Sequence, residues 1–194
     1  MEVERSLSEL RARLADRVPA RFGLAAVLRP AAVLIPLQIR QGALWVVLTE
    51  RRKDLRSHAG QISFPGGTID PSDASPLAAA LREADEELGI ARSDVQVLGP
   101  LDEYPTPSRF NISPFVGVIP HPYAFRPSER EVARVIELPV AAFRAPGVYR
   151  EDPVPVPILG RFRSIITYQV GENRVWGVTA AIFKQFLDLV GTVG

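Results

Sequence analysis

The chain has no cysteine, two histidines and one methionine in 194 residues. The absence of thiols excludes disulfides, thiolate zinc sites, iron–sulfur ligation and cysteine nucleophiles together. Two histidines leave little for a histidine-rich metallohydrolase. Charge of one sign is also scarce in excess: 23 Lys and Arg against 22 Asp and Glu leave a net charge of +1. No global field then draws the chain onto nucleic acid or an anionic membrane, and any anion site must be local. The longest apolar stretch, Leu24 to Ile39, is broken by Arg29, Pro30 and Pro36 and falls short of the roughly 20 residues a bilayer crossing needs. The opening MEVERSLSELRARLADR alternates both charges and lacks the apolar core of a secretory leader. These absences predict a soluble cytoplasmic protein, with neither nucleic acid nor membrane as partner.

What is present suits one domain over residues 1–194: 46% hydrophobic and 23% charged residues, no repeat and no block of like charge. Eighteen prolines imply stiff loops. Val3, Leu7, Leu10 and Leu14 recur at helical spacing and predict a helix over 3–17. Strand-like runs follow at Ala32–Ile39 and Ala43–Thr49, joined by a Gln41-Gly42 turn. A charged, glycine-bearing loop runs from Glu50 to Asp73, and Ser75-Pro76 then opens a helix that Gly89 closes. Further strands are expected near Val95–Leu98, Ile112–Ile119, Val132–Glu137 and Ile165–Val170, with a last helix at Thr179–Val190. Strands on both sides of a central helix argue for an α/β domain with a mixed sheet.

In the Ser75–Gly89 helix, Leu77, Leu81, Ala84 and Leu88 form the stripe expected to pack on the sheet. Glu83, Glu86 and Glu87 are expected off that stripe. Spaced i, i+3 and i+4 in the last turns, they repel one another and oppose the helix dipole, a cost that a bound cation removes. Oxygen ligands without Cys or nearby His select Mg²⁺ or Mn²⁺ over zinc. A solvated acidic face would carry the same residues.

Phe64-Pro65-Gly66-Gly67 together with Arg82-Glu83-Ala84-Asp85-Glu86-Glu87-Leu88-Gly89-Ile90 resembles the signature of the Nudix hydrolases. The resemblance implies an α/β/α sandwich and a metal-dependent cleavage of nucleoside diphosphates linked to another group. It also implies metal ligation by Glu83, Glu87 and Glu86 and by the Gly67 carbonyl. The usual signature has a glycine, five residues, a glutamate, seven residues, then Arg-Glu. Here five residues separate Gly67 from Asp73 and eight separate Asp73 from Arg82, which leaves open whether Asp73 pairs with Arg82.

Ahead of this box, Val47 to Phe64 resembles the extra motif of the coenzyme A pyrophosphatase branch, with Arg51, Arg56, Gly60 and Phe64 in register and Arg52 where that motif prefers Ser or Ala. Val175-Trp176-Gly177-Val178-Thr179-Ala180 is similar to a segment usual in that branch. The likeness runs from about Ala32 to Val190, leaving a helix within residues 1–20 outside it. It implies hydrolysis of coenzyme A, or a derivative, to 4′-phosphopantetheine and adenosine 3′,5′-bisphosphate. Arg51, Lys53, Arg56 and His58 are the candidate substrate contacts. Glu131 is the first candidate for general base, with Glu129 and Glu103 behind it. His121 is expected at the surface and Trp176 in the core. The alternatives are hydrolysis of ADP-ribose or another nucleoside diphosphate derivative, and a Nudix fold that binds a ligand without cleaving it.

Overall fold

A computed structural model describes residues 2–15, 17–21, 27–55, 58–156 and 161–191. The run Arg29–Arg40 is apolar at nearly every position because the strand it forms, β1, is covered on both faces. β1 turns back into β2 (Ala43–Arg51) through Gln41 and Gly42, both at positive φ, +48° and +77°. That pair of left-handed residues matches the strand twist of a tight hairpin. β7 (Phe110–Val118) runs parallel to β1 on its other side, from Arg29↔Phe110 to Leu37↔Val118. β5 (Gln96–Pro100) and β6 (Tyr104–Pro105) pair antiparallel with β7, and β8 (Val132–Pro139) with β2.

The loop expected from Glu50 to Asp73 contains two short strands, β3 (Ile62–Ser63) on β2 and β4 (Gly66–Thr68) on β1. A second, antiparallel sheet of order β11–β10–β9 is built from β9 (Tyr149–Val156), β10 (Arg161–Val170) and β11 (Asn173–Trp176). β9 and β11 were absent from the sequence reading. β9 carries Pro153 and Pro155, which an edge strand tolerates because an N–H facing away from the ladder is dispensable.

Helix α2 (Pro76–Leu88) begins and ends as its sequence dictates: the Ala78 amide donates to Ser75 Oγ at 3.1 Å, Pro76 occupies the first turn, and Gly89 takes the left-handed conformation at φ +67°. Its packing face differs from expectation. Ala79, Ala80, Ala84, Glu87 and Leu88 are buried, whereas Leu77 and Leu81 are half-buried. Small alanines bring the helix close to Ala32 and Leu34 of β1 and Val47 of β2, so the buried face is set by backbone approach rather than by the largest side chains.

The opposite face of the main sheet carries Ile35, Leu37, Val46 and Leu48. These meet α1 (Glu2–Ala15) and α3 (Gly177–Val190), giving an α/β/α sandwich with a mixed sheet. Leu10 and Leu14 of α1 are buried, and a Cβ on Gly99 would lie 2.8 Å from Leu14 Cβ, so the helix sits hard against β5. Among the described residues no helix is long and apolar enough to cross a membrane.

Candidate active site

β4 is squeezed between β1 and α2, and its glycines are there for space. A Cβ on Gly66 would lie 2.5 Å from the Ala32 carbonyl oxygen, and one on Gly67 would lie 2.5 Å from Glu83 Oε1. The glycine loop therefore presses against the carboxylate that the sequence singled out.

Arg82 organises the outer part of this helix face. Its Nε and Nη2 form a fork on Asp73 (3.1 and 3.0 Å), Nη2 also reaches the Thr68 carbonyl at 3.1 Å, and Nη1 donates to Glu83 (2.9 Å) and Glu86 (3.0 Å). The longer Asp73 spacing does not prevent the pairing with Arg82. That hydrogen-bonded guanidinium holds the Asp73 carboxyl below its ordinary range. Burial pushes Glu83 up, against the pull of Arg82. Glu86 is mostly exposed.

Glu87 lies deeper, on the packed face rather than off it, and is 5% exposed. Burial pushes its carboxyl up to about 8; Arg51 opposes the shift, and Glu83 and Glu131 add to it. Its Oε2 is buried with no hydrogen-bond partner, as is Arg51 Nε. Arg51 stands at an irregularity in the β2–β8 pairing, the kind of bulge that re-aims a side chain. Its Nη1 is 3.7 Å from Glu87 Oε1 and 3.7 Å from Glu131 Oε2. Glu131 reaches this point because the Ser128 amide donates to the Glu87 carbonyl (2.9 Å) and the Arg52 amide to the Glu131 carbonyl (3.0 Å). Those two bonds hook the 128–131 loop over the end of α2.

The remaining candidates are dispersed. Lys53 lies with Arg52 and Glu129 around a separate shallow depression. Glu103 accepts from Asn111 Nδ2 at 2.8 Å. Arg56 lies outside the described residues. His58, exposed and at φ +56°, contacts Gln61 through Nδ1 at 2.8 Å. His121 is exposed as expected.

A cavity of about 540 Å³ opens from Arg51, Gly67 and Thr68 and extends to Trp176 and Thr179. Trp176 is 37% exposed on its wall, which corrects the expectation that it belongs to the core. It ends β11, where the chain turns into α3 through Gly177 at φ +64°, and the Arg174 guanidinium lies over its ring at 5.5 Å. Tyr104, Thr106 and Phe110, which also line the cavity, escaped sequence reasoning as well. Their only signal was adjacency to strands.

The carboxylates suit a hard divalent cation. Their donors are all oxygen, and one oxygen is orphaned in a buried position. Among the described residues no three acidic or histidine side chains already converge on one point; Arg51 and Arg82 stand against them instead.

A family model described as NUDIX domain matches residues 27–146. The chain belongs to the Nudix family. It is 40% identical over 163 residues, 84% of this chain and 83% of the relative, to a protein of Escherichia coli strain K12 named uncharacterized Nudix hydrolase NudL. A Nudix hydrolase structure from Alicyclobacillus acidocaldarius aligns with a TM-score of 0.52 at 22% identity, covering 59% of this chain and 80% of that one. RenU, a Nudix hydrolase from M. smegmatis, aligns at 0.51 and 22%, covering 60% and 73%. Both share the fold. The matched Nudix region ends before β9, so Trp176 and Thr179, on the cavity's far wall, lie beyond it.

Proposed function

We propose that this Nudix hydrolase cleaves the diphosphate of coenzyme A, or of a derivative, to 4′-phosphopantetheine and adenosine 3′,5′-bisphosphate. The observation that carries the reading is the placing of Glu87, buried with an orphaned oxygen, beside Arg51, which lines the cavity. The choice of coenzyme A rests on the likeness of Val47–Phe64 and Val175–Ala180 to the coenzyme A pyrophosphatase branch.

Glu83, Glu87, Glu86 and the Gly67 carbonyl would hold Mg²⁺ or Mn²⁺. When bound, the metal supplies charge to the diphosphate oxygens and lowers the barrier to attack by water. Arg82 keeps Glu83 and Glu86 in place while its fork on Asp73 ties the glycine loop to the helix. Arg51, the fixed cation shared by the carboxylates and the cavity, binds diphosphate oxygens as substrate enters. Glu131, half-exposed beside Arg51, accepts the proton of the attacking water.

Incubation with coenzyme A, dephospho-coenzyme A and ADP-ribose in Mg²⁺ or Mn²⁺, with products identified by mass spectrometry, tests the assignment. Both named products should form from coenzyme A. Faster cleavage of ADP-ribose than of coenzyme A would overturn the choice of substrate.

A further inference from the structure

The cavity lining is of two chemical kinds. Toward the carboxylates it is lined by Arg51, Gly67 and Thr68, while Phe64, Ile112 and Ile182 line it as well, and Phe64 and Ile182 are almost wholly buried. Arg51 is the one described lining side chain of fixed charge, and it already faces Glu87 and Glu131. His58, the other basic lining group, is turned to Gln61. Among the described lining residues no further charged side chain is left for a second, dianionic phosphate, whose transfer to apolar surroundings without a partner is costly.

Neutral hydrogen-bonding groups are available. α3 begins at this wall without a side-chain cap, and Thr179 lines the same space, whereas the Thr106 hydroxyl is already bonded to Phe110 and Ser108. Trp176 adds a flat surface, with Arg174 over its ring. An occupant with uncharged amides and an apolar end matches these features. The adenosine half of coenzyme A carries the 3′-phosphate and matches them poorly.

On the reading that the substrate is coenzyme A, we infer that this cavity receives the pantetheine arm, with Trp176 as a specificity-determining contact, and that the adenosine 3′-phosphate half stays outside it. The segment beyond the matched Nudix region, β9 to α3, then selects what is attached to the diphosphate while the α2 carboxylates and Gly67 serve the cleavage itself.

The chain has two tryptophans, so full-length protein labelled with 5-fluorotryptophan gives two ¹⁹F resonances, assigned with Trp176→Phe. Titration with 4′-phosphopantetheine should shift the Trp176 resonance saturably, and adenosine 3′,5′-bisphosphate should leave it in place. Trp176→Ala should weaken 4′-phosphopantetheine binding by about tenfold in calorimetry. A shift with adenosine 3′,5′-bisphosphate would put the nucleoside half in the cavity and overturn the inference. So would an unmoved Trp176 resonance with both products. Coenzyme A cleavage, measured separately on the same protein, shows whether the enzymatic reading falls with it: intact cleavage beside an unmoved resonance removes only the arm assignment.

Discussion

Arg51 Nη1 lies 3.7 Å from Glu87 Oε1, beyond hydrogen-bonding distance, and the same nitrogen lies 3.7 Å from Glu131 Oε2. The guanidinium thus balances two carboxylates by charge without being fastened to either. A divalent ion on Glu87 would compete with it and release it toward the cavity.

Arg51→Ala should therefore leave Mn²⁺ binding intact or tighten it by several fold, as read by electron paramagnetic resonance, while lowering kcat/KM. A lost charge-assisted contact is worth roughly 1.5–3 kcal/mol, a tenfold to hundredfold change. Because Arg51 sits at the diphosphate end, coenzyme A and dephospho-coenzyme A should lose activity together. A loss confined to coenzyme A would assign Arg51 to the 3′-phosphate instead.

Gly67→Ala tests the close approach of β4 to α2. The added methyl would fall 2.5 Å from Glu83 Oε1, and Gly67 is not among the positive-φ residues, so the strain falls on the carboxylate. Displacing a reacting group by about 1 Å costs on the order of 10²-fold. Turnover should fall by about that factor and Mn²⁺ affinity should weaken, with the melting temperature little changed. Wild-type turnover would show that the glycine serves only the strand.

The Glu87 carboxyl sets a pH dependence for protein freed of metal with a chelator. Its folded value, about 8, lies above the ordinary value of 4.5. Between these, the unfolded chain has lost the proton that the folded chain keeps, so this group makes stability fall as pH rises. Above both values the penalty is constant, on the order of a few kcal/mol. Glu87→Gln should abolish that slope: the variant should melt several degrees above wild type at pH 9 and close to it at pH 5. A variant less stable than wild type at pH 9 would contradict the burial of an uncompensated carboxyl.

Local chemistry made α2 legible from sequence. Ser75, Pro76 and Gly89 fix its ends through bonds within a few residues, and the i, i+3, i+4 spacing of the three glutamates fixes their neighbourhood. The depth of Glu87 was not legible, because Ala79, Ala80 and Ala84 set the packing face by their smallness. Nor was the meeting of Arg51 with Glu131, which depends on bonds between residues far apart in the chain. Asp73 illustrates the middle case: its extra residue of spacing is absorbed by the loop, and the fork on Arg82 forms regardless. Trp176 shows why aromatic residues mislead. Its size suits a core, yet it stands at the cavity wall at the end of β11, paired with Thr167, before the turn at Gly177 and with the guanidinium of Arg174 over its ring.

The central claim is that the α2 carboxylates hold the metal that cleaves a diphosphate. Its most direct test is coenzyme A turnover, with Mn²⁺ binding measured alongside, in wild type, Glu83→Gln and Glu87→Gln. Both variants should fold, melt no lower than wild type when metal-free, bind Mn²⁺ more weakly, and lose about three or more orders of magnitude in turnover. Near-wild-type turnover in either variant at saturating metal would contradict it.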